Sequence, residues 1–208
     1  MSIKIIGTGS VIPKIKESNS SFINNSFYDT NGDKIKLNNE EIIQKFNSIT
    51  GIKNRRYVSS KQKSSDIAIQ ASKIAIKDSG INKEEIDYII LAHNIGDITF
   101  DSNQVDILPS IASRVKSGLE INNPSCVAYD IIFGCPGWLE GVIQASAFIK
   151  SKIAKTCLVI GSETLSRVLD KSDRDSMIYA DGAGASIIQT SNEKGGILSH
   201  KSASYTSN

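Results

Sequence analysis

Short apolar runs alternate along this chain with stripes of apolar residues at helical spacing. Ile3-Lys4-Ile5-Ile6, followed by Gly7-Thr8-Gly9-Ser10, predicts a short buried strand that ends in a glycine turn. Residues 14–38 are polar and Asn-rich with an Asn31-Gly32 turn signal, the pattern of a surface excursion or hairpin. Ile42, Ile43, Phe46 and Ile49 then recur at helical spacing behind Asn38 and Asn39, good N-terminal caps, and Gly51 ends that helix. A second helix starts at Ser64-Ser65-Asp66, carries its stripe on Ile67, Ala68, Ala71, Ile74 and Ala75, and closes at Gly80. Beyond it the pattern predicts a strand from Asp87 to His93 and a helix near 104–117 ending at Gly118. Strand 126–133, helix 136–151, strand 156–161 and a further apolar run at 183–189 follow.

Strands without polar alternation are buried on both faces, and their alternation with helices indicates a parallel or mixed sheet covered by helices. The helix at 136–151 is apolar nearly all round (Trp138, Leu139, Val142, Ile143, Ala145, Phe148, Ile149), which places it inside a layered protein. Gly137 and Gly141 stand one turn apart on it and would let another backbone approach closely. The chain closes on the polar stretch Ser202 to Asn208, which has no element to end on.

Composition narrows the class. The 208 residues are 39% hydrophobic and 22% charged, enough for one sizeable core. A net charge of +2 gives no argument for nucleic acid or a membrane surface. Lys53-Asn54-Arg55-Arg56 is the one compact basic run and reads as a solvated turn. No stretch has the apolar length of a spanning helix, and the N-terminus lacks a signal-peptide pattern, so a cytoplasmic protein is expected. Three scattered cysteines suggest neither a disulfide framework nor a zinc site, and no other metal site is expected. Cys126 and Cys157 lie in apolar runs and read as core.

Cys135 differs from them. In Phe133-Gly134-Cys135-Pro136-Gly137-Trp138 an apolar strand runs into a helix start, and Pro136 suits the first helical position. Cys135 is then expected at the N-cap, beside unpaired N–H groups and the positive end of the helix dipole, surroundings that favour a nucleophilic thiolate. A thiolate nucleophile also needs a base and an oxyanion hole. The two histidines offer little: His93 ends a strand beside Asn94 and reads as structural, and His200 lies in Gly195-Gly196-Ile197-Leu198-Ser199-His200, which looks like an edge strand. Asp181-Gly182-Ala183-Gly184-Ala185 is a Gly-rich turn before a strand. A phosphate cradle should open a helix, so the glycines are read as serving close backbone packing. Asp170 to Asp175 is a charged loop in which Arg174 offers a flat guanidinium for a base or a phosphate.

Taken together, Ile5-Ile6-Gly7-Thr8-Gly9-Ser10, Thr50-Gly51-Ile52, Asp130 to Gly137, Val159-Ile160-Gly161-Ser162-Glu163, Asp173-Arg174 and Asp181 to Ala185 resemble β-ketoacyl-acyl-carrier-protein synthase III in order and spacing. That resemblance implies a thiolase-like α/β fold, layered α-β-α-β-α, with a mixed sheet and a buried helix after the nucleophile. It implies that Cys135 accepts an acyl group from a thioester and that the acyl-enzyme condenses with decarboxylating malonyl-carrier protein, the Cys135 N–H serving in the oxyanion hole. It implies that Arg174 packs on the adenine of CoA, and that Leu108, just before Pro109, enters the acyl pocket of a dimer partner. No cofactor is implied. The partners implied are acyl carrier protein, acyl-CoA and a second copy of the chain.

Three departures stand beside the resemblance. Lys45 lies nearest to the place of the family's adenine-stacking tryptophan, which favours a carrier protein as donor. The 14–38 insertion is long, and Phe133-Gly134 replaces small alanines; both suggest a specialised relative making a secondary lipid or polyketide. The family's histidine and asparagine lie in a second half, which is expected beyond this chain: residues 1–191 read as the first half and 192–208 as a linker or the start of the second. Two other readings stay open, a cysteine hydrolase with a strand–helix nucleophile elbow and a non-catalytic subunit of a condensing heterodimer.

Overall fold

The computed structural model describes residues 2–102 and 104–206. Its centre is a five-stranded mixed sheet. In chain order the elements are β1 (Ser2–Val11), β2 (Ile15–Ser18), α1 (Asn39–Thr50), β3 (Asn54–Tyr57), α2 (Ser64–Ser79), β4 (Tyr88–His93), β5 (Asp97–Ile98) and β6 (Val105–Asp106). These are followed by α3 (Ile111–Gly118), β7 (Val127–Ile132), α4 (Gly137–Lys150), β8 (Thr156–Glu163) and β9 (Gly182–Ser191). The sheet order is β1-β9-β8-β4-β7, with β4 parallel to β7 and β8, and β9 antiparallel to β8 and β1. The mixed sheet is as expected. No helix among the described residues is long and apolar enough to cross a membrane.

Helices α2 and α3 cover one face, burying Ile67, Ala71 and Val115 against Ile89, Leu91 and Ile187. On the other face α4 packs Val142, Ala145 and Ile149 onto Ile90, Val159 and Ile188. The two faces account for the uninterrupted apolar character of β4 and β8. Helix α1 begins as expected, with the Asn38 side chain accepting from the Glu41 N–H, and ends in left-handed Gly51. Helix α2 starts where Ser64-Ser65-Asp66 predicts it, with the Asp66 carboxylate accepting the Lys63 N–H.

Several expectations are corrected. Gly7 and Gly9 lie inside β1, where they let α2 close on the strand: a Cβ on Gly7 would come within 2.6 Å of the Ala75 carbonyl. Gly182 to Ala185 likewise belong to β9, and a Cβ on Gly184 would meet open space, so close packing does not explain that glycine. Gly137 and Gly141 admit side chains of the sheet, Ala92 and Val159, rather than another backbone. Helix α3 starts only at Ile111, where the Ser110 side chain caps it by accepting from the Ser113 N–H, and Val105–Asp106 form a short strand instead. β7 is a half-exposed edge, not a strand buried on both faces. The 195–200 segment forms no strand, although the Ile197 N–H reaches the Ile3 carbonyl at the free edge of β1. The all-round apolar α4 buries one side, while Leu139 is 54% exposed.

The polar 14–38 segment is less superficial than its composition suggests. It turns at Gly32, but Phe22 and Phe27 form a small core with Ile42 and Met177. Arg55, expected in a solvated turn, is buried on β3, donating to Asn19 and lying over the Phe22 ring. The polar end expected through Asn208 passes, in its last two positions, outside the described residues.

Candidate functional site

Cys135 stands at the turn between β7 and α4 and is exposed, whereas Cys126 and Cys157 are buried. The turn depends on Gly134, whose φ of +69° only glycine adopts without strain. The Gly137 N–H donates to the Gly134 carbonyl at 3.0 Å, and the Glu140 N–H to the Pro136 carbonyl at 3.0 Å, so the chain enters the helix immediately after the cysteine. The helix begins at Gly137 with Pro136 as its flanking residue, one position later than expected. Cys135 therefore precedes the N-cap rather than occupying it. It stays beside the helix N-terminus because the turn folds back on Gly134.

Asn94 and Glu163, at the ends of β4 and β8, back this turn. The Glu163 carboxylate accepts the Asn94 N–H at 2.7 Å and its side-chain N–H at 2.8 Å. That fixes the Asn94 amide with its oxygen toward Gly134, 3.7 Å from where a Cβ would stand. His93, read as structural, is buried with Nε2 3.1 Å from Asp130. Asp130 also accepts the Ile111 and Ala112 N–H groups, each at 2.7 Å, at the start of α3. The other ring nitrogen of His93, Nδ1, is buried with no hydrogen-bond partner among the described residues. Sequence reasoning missed these pairs. The signal available was Asp130 itself, a lone acid in an apolar strand that must find donors.

Burial pushes the Cys157 thiol up to about 12, with Asp87 adding to the effect. Burial raises Cys126 as well, against the lowering influence of the Lys116 ammonium.

Arg174 lies in a short 3-10 helix, Arg174–Ile178, with its guanidinium exposed near Asp175. It shares with Lys45 the rim of a cleft of about 400 Å³ whose apolar wall includes Ile35, Ile42, Phe46 and Met177. The structure thus brings together the two positions that the resemblance assigns to the adenine site. It does not line this cleft with Cys135 or Leu108. Leu108 is 81% exposed on the loop before α3. His200 is exposed in the strandless terminal segment. Asp181, opening the Gly-rich run, is buried and accepts from the Val58 N–H, the Ser166 N–H and the Ser166 hydroxyl, a structural clamp.

Residues 129–206 match the family model of 3-oxoacyl-[acyl-carrier-protein (ACP)] synthase III. The chain is 37% identical over 193 residues to a β-ketoacyl-[acyl-carrier-protein] synthase III of Neisseria meningitidis, covering 92% of this chain and 53% of that protein. A protein of the same description from Ehrlichia ruminantium is 35% identical over 198 residues, 94% of this chain and 55% of its own. Among solved structures, 3-oxoacyl-[acyl-carrier-protein] synthase III from Aquifex aeolicus superposes with a TM-score of 0.72 at 33% identity, over 93% of this chain and 55% of that one. The chain thus spans about half the length of the relatives it matches. These likenesses establish the thiolase-like fold and do not favour the hydrolase or the non-catalytic reading.

Proposed function

Kinship with the β-ketoacyl-acyl-carrier-protein synthase III family, in sequence along nearly the whole chain and in fold, is the premise from which we propose that this protein is an acyltransferase of the condensing type, working through Cys135. The observation that carries this reading is an exposed thiol on a glycine-dependent turn at the mouth of α4, while the two other cysteines are buried. The Cys135 thiolate attacks the carbonyl of an acyl thioester, expels the donor thiolate and becomes a thioester itself. Malonyl-carrier protein then loses CO2, and its carbanion attacks the acyl-enzyme carbonyl. The β-ketoacyl product stays on the carrier and the Cys135 thiolate is released. The Cys135 N–H contributes to holding the developing oxyanion. The chemistry needs no cofactor or metal.

The remaining assignments belong to the same proposal. Arg174 and Lys45 engage the thioester donor at the mouth of their cleft, and two cations there suit an acyl carrier protein, with acyl-CoA as the other donor class. Leu108 shapes the acyl pocket of a second copy in a homodimer, for which its exposure speaks. Residues 192–208 lead into a second half that holds the histidine and asparagine for decarboxylation. The cytoplasm is the compartment, and secondary lipid or polyketide synthesis is the specialised setting. The test is incubation of the full-length protein with radiolabelled acyl-CoA or acyl-carrier protein, followed by peptide mapping. Label retained on the Cys135 peptide and abolished in Cys135→Ser supports the reading; label absent, or on another residue, refutes it.

A further inference from the structure

A single guanidinium grips the chain on both sides of Leu108. The Arg114 Nε donates to the Pro109 carbonyl at 3.0 Å, and its terminal nitrogens reach Asp106 at 2.9 and 2.5 Å. The same side chain is anchored inward on Asp97, at 3.0 Å, and that carboxylate also accepts the Ser65 N–H and hydroxyl at the start of α2. Asp97 is 1% exposed, and a carboxylate is stable at that depth only when paired and hydrogen-bonded. Arg114 therefore cannot leave without stranding a charge, and the loop it holds is tied to the cores of α2 and α3. Between the two gripped residues Leu108 projects into solvent. Such a clamp adds nothing to the packing of Leu108 itself. Its consequence is to hold an apolar knob in one place and one orientation.

We propose that Arg114 and Asp106 are positioning residues that set acyl-chain selectivity by fixing Leu108. This rests on the reading of Leu108 as part of an acyl pocket. A loosened knob no longer blocks the end of the pocket, so longer chains gain relative to short ones. Discrimination by a few methylenes in an apolar pocket is worth about tenfold or more, which sets the scale of the effect. Asp106 is the residue to change first, because it lies at the exposed end of the clamp and its loss leaves the buried Arg114–Asp97 pair intact.

The experiment measures acylation of Cys135 in the full-length protein with acetyl and octanoyl thioesters of one carrier, and takes the ratio of kcat/KM. Asp106→Ala should shift that ratio toward octanoyl by about fivefold to tenfold. Arg114→Lys, which keeps a cation beside Asp97 but cannot bridge Pro109 and Asp106 together, should shift it the same way. Leu108→Ala should shift it at least as far, and adding Asp106→Ala to Leu108→Ala should change nothing more, since one acts through the other. A merely structural role would lower both rates together and leave the ratio alone. If Leu108→Ala shifts the ratio but Asp106→Ala does not, or if the two shifts multiply, the clamp is overturned and the Leu108 reading stands. If Leu108→Ala leaves the ratio unchanged, or wild type is not acylated, both fall.

Discussion

Selective alkylation tests the nucleophile most directly, and the structure supplies the contrast. Cys157 is fully buried in β8, and its thiol is pushed up to about 12. At pH 8 such a group is ionised in about one molecule in ten thousand, whereas an unperturbed thiol near 8.5 is ionised in about a quarter. Cys157 should therefore react roughly three orders of magnitude more slowly than a free thiol, before the cost of uncovering its sulfur is counted. Cys126 is buried and raised in the same direction. Cys135 requires no opening, because it is already exposed on its turn. Native protein treated with limiting iodoacetamide at pH 8 should carry one adduct, on the peptide containing Cys135. Cys126 and Cys157 should label only after denaturation, and Cys135→Ser should give unlabelled native protein. Labelling of Cys126 or Cys157 in the native state at a rate within tenfold of Cys135 would refute the reasoning, because it would mean that β8 or the entry to β7 opens far more easily than its packing allows.

Other outcomes follow from the same structure. Asp181→Ala leaves the Val58 N–H, the Ser166 N–H and the Ser166 hydroxyl without their acceptor, and should cost about 3 kcal/mol in urea unfolding. Gly9→Ala drives a Cβ into the α2 backbone at Ala71 and Ala75, and should cost about 1–3 kcal/mol; an unchanged urea midpoint would show that α2 does not sit so close. The Cys157 thiol is raised in the folded state, so its contribution is complete below the unfolded value of about 8.5 and is lost as pH climbs toward about 12. Between those two values stability should fall by about 1.4 kcal/mol per pH unit from this group, and Cys157→Ala should flatten the slope between pH 9 and 10. Asp106 is held below the ordinary carboxylate value by its hydrogen bonds to Arg114, so the clamp contribution is present above about 3.8 and lost as pH falls further. Acid-induced loosening of the 105–109 loop, read by hydrogen exchange, should begin only below pH 4 in wild type, and the Asp106→Ala loop should exchange rapidly throughout.

The elements that rest on local chemistry are legible in the chain alone. Asn38 and Gly51 bound α1, and Gly80 ends α2, because caps and left-handed glycines act over a few residues. The apolar runs of β4 and β8 announced a covered sheet, and Gly134-Cys135-Pro136-Gly137 announced a strand-to-helix turn to within one residue. The tertiary structure decided whatever depends on partners distant in the chain. Gly7 and Gly9 resemble a turn locally, and only pairing with Ile187 and Ala185 of β9, about 180 residues later, makes them strand. Arg55 reads as solvated until Asn19 and Phe22 fold over it, and β7 reads as buried until the strand order leaves it at an edge. Arg114 sits on a short helix like any polar residue, and its grip on Asp97, Asp106 and Pro109 exists only once two loops and a helix meet. Periodicity and capping are read over one or two turns of chain, whereas a buried charge is satisfied by whichever groups the fold brings to it, and no local pattern records that choice.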